Sequence, residues 1–556
     1  MPRPFSPLAR ASVLGAVLVV GGCAVHDRDV APPPPAPFAG STPLRRLSND
    51  EYLHAMRDLF GVSPAGLPAL PADTTVGGFA NDARTLGPSD LRIARYEALA
   101  FAFADAATAD DAALARLLPC ASYATEEEQA ACGRALIASF GRRAFRRSLG
   151  TDELERYARR FDGFRRTIDF RAAVQLVLMA LVQAPSFLYR IEIPVVDRTT
   201  VVDHAPGVVR VSAFALATRL SFLLWESVPD DELLDAAESG ALLDPEVLAV
   251  EVDRMLEDPR VVDTIVDFDR QWLDVDRILS DANRTRDPAQ YPDWTPETPA
   301  ALREESLRFL RWSASEGEGT LDELFASRHA EVDPTMAAIY GVAPPDAGTW
   351  VGVELPSEQR AGILTRGAFL AGHAHSGNVS PPIRGSFVLE RILCRPHLSP
   401  PAAADLSTPQ PMPGEGAVTN RTLFERRTSS PTCVGCHVQV NGVGFAFEHY
   451  DAVGSFHALD HGLPVDASGE LFDVDPSGPF ADAVELSQRL ATSPTVASCA
   501  SDTWVRFALG RTLEHADASL RHRALAALAE SGGEVRAMLR AIALSPELRV
   551  QQAVQE

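Results

Sequence analysis

Hydrophobic residues recur at helical spacing along most of this chain, and that pattern restricts the fold more than any other feature. Leu53, Met56, Leu59 and Phe60 share one helical face. Ser48 with Glu51 reads as a capping box before them, Leu47 as a staple and Gly61 as the stop. A second helical block runs from about Glu126 to Arg190, where Thr151, Asp152 and Glu153 open a helix and Phe170 to Leu188 is almost wholly apolar. Arg171 and Gln175 interrupt that stretch, so it reads as a buried core helix and not a membrane span. Helical period returns from Ala213 to about Tyr340, with a start at Ser227-Val228-Pro229-Asp230 that puts Pro229 at the first position. Phe222, Trp225, Phe268, Trp272, Phe309 and Trp312 are core candidates there, and a cofactor stack is the alternative. Further helices are expected from about Glu358 to His373 and from Phe480 to Gln552. Valine and threonine without helical period fill Val195 to Val211, a pair of short strands or a linker. Residues 341–360 read as a turn-rich linker, and the proline-rich residues 395–418 as a surface loop. Hydrophobic residues make up 46% and charged residues 23%, which is globular, so the fold class is mainly α. At 556 residues the chain is long enough for three or four folded units.

The charge balance removes one class of partner. The 51 basic and 75 acidic side chains give a net charge of −24, so no nucleic-acid partner is expected. Every basic residue is arginine, which excludes lysine-based Schiff-base or phosphate-loop chemistry, and genomic base composition is the favoured reason for the missing lysine. Asp473-Val474-Asp475-Pro476-Ser477-Gly478 begins like a calcium loop, but its twelfth position is Val484 where glutamate is required.

Arg3 and Arg10 precede an apolar run from Ala11 to Val20, and Val20-Gly21-Gly22-Cys23 follows. A basic start, a short apolar core and small residues describe an export signal, and the run is too short for a bilayer span. The final four residues resemble a bacterial lipoprotein box, which makes Cys23 the lipidated N-terminus. Ordinary cleavage near Cys23 is the alternative. Ala24 after the cysteine resembles the outer-membrane sorting pattern, and Ala31 to Pro43 reads as an extended tether. The implied location is the cell envelope, lipid-anchored to the outer membrane on its periplasmic or surface face. Export places the seven cysteines in an oxidising compartment. With Cys23 lipidated and Cys433 and Cys436 in a motif of their own, Cys120, Cys132, Cys394 and Cys499 remain for two disulfides. Cys120 with Cys132, and Cys394 with Cys499, are the expected pairs, and four buried free thiols the alternative.

Cys433-Val434-Gly435-Cys436-His437 is a C-x-x-C-H sequence, the attachment signature of covalent haem c. Thiols three residues apart reach both porphyrin vinyl groups, and the next residue, His437, offers its imidazole to the iron. The rivals are a redox dithiol and half a zinc site. Candidates for the second axial position are Met412, in Pro411-Met412-Pro413, and the histidines His373, His375, His449 and His457. Methionine would raise the potential, histidine would lower it, and an open position would admit ligand chemistry. Arg384 and Arg391 are possible propionate partners, or surface arginines.

Several segments together resemble a known family: planctomycete-type multi-domain cytochrome proteins, also found in myxobacteria, built from five serial domains of unknown function. They are Leu44 to Tyr52, Phe140 to Arg147, Ala217 to Trp225, Gly362 to Gly367, Ser380 to Gly385, Cys433 to His437, Gly444 to Glu448 and Phe507 to Arg511. The resemblance implies an exported, mostly helical protein with a small cytochrome-c-like segment near the C-terminus. This chain departs from the family twice. Arg427 stands where histidine is usual six residues before the first haem cysteine, and Val440-Asn441-Gly442 stands where Met-Asp-Pro is usual. The resulting division is residues 1–22 signal peptide, 23–43 tether, 44–120 and 121–193 helical domains, 194–211 strand or linker, 212–341 central helical domain, 356–460 haem-bearing domain and 461–550 C-terminal helical domain. The expected role is electron transfer with an unknown redox partner protein. A haem-dependent oxidoreductase, peroxidase-like or degrading polymers oxidatively, and a surface scaffold with a secondary redox role are the alternatives.

Overall fold

The N-terminal helix Asn49–Phe60 forms for the reasons its sequence predicts. Ser48 Oγ accepts the Glu51 N–H at 3.1 Å, Glu51 Oε2 accepts the Ser48 N–H at 2.8 Å, and Gly61 ends the helix at φ +63°. The computed structural model describes residues 40–192, 202, 207–395, 407 and 409–553. Of the structure, 57% is helix and 7% strand, so the mainly α class holds and the sheets are accessories. All five sheets among the described residues are two-stranded and antiparallel. The expected signal peptide, Cys23 and most of the tether lie outside the described residues.

Two hydrophobic cores organise these helices. The first gathers buried residues from Leu47 to Phe187 and takes Phe222 and Val228 from the next segment. Helices Glu126–Phe145, Thr151–Thr167 and Phe170–Val182 frame it, and the last is the expected buried apolar helix. The second core runs from Val211 to Leu548 and takes Phe79 from the N-terminal segment. At its centre Phe268 and Trp504 stack with centroids 3.7 Å apart, and Phe79 stacks on Phe268 at 5.3 Å. The aromatic candidates are therefore core contacts, with Trp312 only partly buried and stacked on His329.

Disulfides Cys120–Cys132 and Cys394–Cys499 are both present, in the pairing read from the sequence. The second ties the chain before the C-x-x-C-H segment to the C-terminal helix Pro494–Leu509.

Three local expectations fail. Pro229 is not the first residue of its helix, because Asp230 accepts the Leu233 N–H at 3.0 Å and so becomes the cap of Asp231–Glu238. The continuous helix from Glu358 to His373 does not form. Gly362 adopts φ +56° against Phe325, which leaves a short turn at Ile363–Thr365 and a helix at Gly367–Gly372. Residues 341–360 contain a strand, Val351–Glu354, paired with His329–Val332. Val208–Arg210 is a strand paired with the C-terminal Val550–Gln552, and the Val202 N–H donates to Val208 O at 3.3 Å. Most of 193–206, like 396–406, lies outside the described residues. The calcium-like run from Asp473 is the connection between strands Gly469–Leu471 and Gly478–Phe480.

Candidate functional site: the Cys433–His437 helix

The motif sits at the start of the helix Pro431–Gly444, with Ser430 as the extended residue before it and Pro431 at its first position. The three-residue spacing therefore puts Cys433 and Cys436 on one helical face. Both thiols are free, the first half-buried and the second exposed. Val434 and Val438, at 47% and 51% exposure, leave apolar surface beside them.

Glycine packing fixes this helix against the rest of the protein. It crosses the helix Pro381–Phe387 so closely that a Cβ at Gly385 would lie 1.9 Å from Val440 O, and one at Gly444 would lie 2.0 Å from Pro381 O. Only glycine at both positions lets the backbones approach to this distance.

A chain of hydrogen bonds orients His437. Thr428 Oγ1 donates its one proton to Phe424 O at 2.7 Å, so it must accept from Asn441 Nδ2 at 2.9 Å. Asn441 consequently presents Oδ1 to His437 Nδ1, also at 2.9 Å. The acceptor requires a proton on Nδ1, which leaves the Nε2 lone pair free for a ligand interaction. In the sequence Asn441 registers only as a departure from the family pattern. Its i+4 spacing from His437 on a helix was the available signal, and Thr428 had none. Glu448, in the Gly444 to Glu448 segment, is buried and accepts from Asn420 Nδ2 at 3.0 and 3.2 Å. Burial raises its carboxyl to about 7, opposed by Asn420 and by the charge of Arg384.

The other predicted site residues are dispersed. Arg384 is neither a propionate partner nor a surface residue. It is buried and donates to four carbonyls, those of Phe447, Tyr450, Leu370 and Asp451, at 2.8 to 3.0 Å. Arg391 is spent on Gln271 O at 2.7 Å and Trp272 O at 2.9 Å. These guanidiniums bind carbonyls at helix ends and turns, a role that an isolated arginine in a sequence does not signal. His373 is enclosed by Phe369 and Phe387, and burial drives its imidazole down to about 3, so it is a neutral core residue. His375 is half-buried in the turn closed on Asn378 O. His449 Nδ1 bonds His457 O at 2.9 Å and its ring stacks on Phe456. Met412 is 66% exposed. Its N–H donates to Glu415 Oε2 at 3.0 Å, and Glu415 pairs with Arg426 on the helix Asn420–Thr428, which packs directly against the motif's helix. Arg427, the residue at the family's usual histidine position, bonds Ser407 O at 3.0 Å and Oγ at 2.9 Å.

The fold defines a mainly helical, disulfide-braced protein. Five family models match the chain in order, each described as a protein of unknown function: DUF1587 over residues 45–109, DUF1595 over 132–192, DUF1592 over 211–342, DUF1588 over 360–460 and DUF1585 over 478–548. The DUF1588 model, named PSCyt3, covers the motif, and it and DUF1585 are cytochrome-associated families. No curated protein and no solved structure matches the chain.

Proposed function

We propose that this chain is an exported, lipid-anchored c-type monohaem protein that passes electrons to or from a partner protein at the cell envelope. The observation that carries this reading is the motif's helix. It holds two thiols outside the disulfide set, three residues apart, followed by an imidazole whose Nε2 keeps its lone pair. Haem, when bound, supplies a one-electron redox centre. Cys433 and Cys436 would hold it covalently, His437 would ligate the iron, and the exposed Val434 and Val438 offer apolar surface to its ring. Exposure of Cys436 favours electron transfer over chemistry on an enclosed substrate, because a partner protein can approach the cofactor edge directly. The N-terminal export pattern, Cys23 and the proline-rich tether support the anchor, with the outer membrane as its site.

Intact-mass measurement tests both parts on protein made in a host that matures cytochromes and lipoproteins. The expected chain begins at an acylated Cys23 and carries one haem. Colourless protein with free thiols at Cys433 and Cys436 overturns the reading. A spectrum of the reduced protein that carbon monoxide leaves unchanged supports electron transfer. A spectrum that shifts directs attention to a haem-dependent oxidoreductase.

A further inference from the structure

Carboxyl groups outside the motif's helix meet at the seam between the two hydrophobic cores. Glu226 lies in the turn between the helices Ala213–Leu224 and Asp231–Glu238. Around it, Phe222 and Val228 pack in the first core and Trp225 packs in the second. Glu226 is 2% exposed and holds a left-handed backbone, φ +49°, which a residue with a Cβ seldom adopts. Tertiary packing, not local preference, therefore holds it at the seam.

Each core presents an acid to Glu226. Asp50 comes from the helix Asn49–Phe60 of the first core, and Asp267 from the helix Arg260–Trp272 of the second. Glu226 meets Asp267 carboxyl to carboxyl within hydrogen-bond reach, and two carboxyls bond only when one of them carries a proton. The other groups here are already engaged. Arg270 reaches across the seam to Asp50 at 2.9 Å and also pairs with Asp267 and Asp276. Asp276 holds Arg303 as well, and Glu51 holds Arg45 with Arg190 3.8 Å away. Gln271 Nε2 donates to Asp267 Oδ2 at 2.6 Å, and Asp58 accepts from Ser227 Oγ at 2.6 Å with Arg260 3.5 Å away. His54 faces Asp50 with its Nδ1 buried and unpartnered. Glu226 Oε2 is buried and receives no hydrogen bond, so a negative charge on it would be uncompensated. Burial, together with Asp267, Asp50 and Glu51, pushes its carboxyl well above the ordinary value of 4.5.

We propose that a proton shared by Glu226 and Asp267 latches the first core onto the second, and that its loss at rising pH loosens the seam. With the proton present the pair is a hydrogen bond. Once it leaves, two buried negative charges face each other with Asp50 beside them, and Arg270 alone must offset all three. Folding raises the carboxyl, so the closed seam is most favoured below 4.5 and loses ground as pH climbs from there through the raised value. The response belongs to the chain itself and does not depend on haem.

Hydrogen–deuterium exchange of the full mature protein at about pH 5 and about pH 9, corrected for the intrinsic change in exchange rate, provides the test. Amides of Asn49–Phe60 and of residues 225–230 should exchange about tenfold or more faster at the higher pH, while those of Phe170–Val182, inside the first core, stay protected. Glu226→Gln places an amide donor against Asp267 at every pH and should abolish the difference. Glu448→Gln neutralises a raised carboxyl outside the seam and should leave it intact. Should Glu226→Gln fail to fold, Asp267→Asn supplies the same neutral donor from the opposite side and should abolish the difference too. Equal protection of Asn49–Phe60 at both pH values overturns the proposal. So does an equal loss at Phe170–Val182, or a pH response that survives in the folded Glu226→Gln or Asp267→Asn protein.

Discussion

At the scale of single residues, the site is governed by which atom holds a proton. The Thr428–Asn441–His437 relay puts it on Nδ1 of the imidazole. Asn441→Asp replaces a neutral acceptor with a charged one and makes the imidazole a stronger donor. The expected result in haem-loaded protein is a reduction potential lower by tens of millivolts, read by potentiometric titration. An unchanged potential would show that Asn441 does not set the ligand's electronics. Glu448 gives a pH dependence. Its ordinary value of 4.5 rises to about 7 in the fold, so between those values the folded state holds a proton that the unfolded chain has released. Stability therefore falls as pH rises from 4.5 to 7, and the cost is complete above 7. Glu448→Gln should remove that fall, so that the variant gains on the wild type across the window in denaturant titrations at stepped pH. A constant difference between the two proteins would exclude Glu448 as the titrating group.

Helices and their crossings are the next scale. The motif's helix is held by backbone approach at Gly385 and Gly444, where the added methyl of alanine has no room. Gly385→Ala should cost about 1–3 kcal/mol, the usual penalty for overpacking, seen as a lower denaturation midpoint. Unchanged stability would mean that the two helices separate freely. The helices themselves were legible in sequence where a cap and an apolar face coincided, as at Ser48 to Gly61, and a helix start was legible at Thr151, where Asp152 and Glu153 follow. They were not legible where a tertiary contact set the backbone, as at Gly362, whose left-handed conformation against Phe325 breaks the expected helix. Of the candidate site, Cys433, Cys436 and His437 stood out as a contiguous string. Thr428, Asn441 and the carbonyl-bound Arg384 act through partners that the string does not contain.

Across the whole molecule, segments far apart in sequence share one core. Phe79 stacks on Phe268 and meets Phe507 edge-on, and Arg219 donates to Leu548 O and Val550 O at 2.7 and 2.8 Å. The two disulfides brace this arrangement over very different loops, with separations of 12 and 105 residues. In the chain-entropy account, opening the longer loop costs about 4–5 kcal/mol and the shorter about 3 kcal/mol. The Cys394→Ser, Cys499→Ser double variant should therefore melt at a lower temperature than the Cys120→Ser, Cys132→Ser protein. The reverse order would contradict a loop-length origin for the stabilisation.

The amino-acid sequence alone determined the helical class, the local Cys120–Cys132 pair and the C-x-x-C-H string, because caps, periodicity and spacing act within a few residues. Only the tertiary structure decided which imidazole nitrogen stays free, which arginines bridge carbonyls and that Val208–Arg210 closes on Val550–Gln552. Those outcomes depend on burial and on partners up to hundreds of residues away, where the local pattern of side chains carries no information.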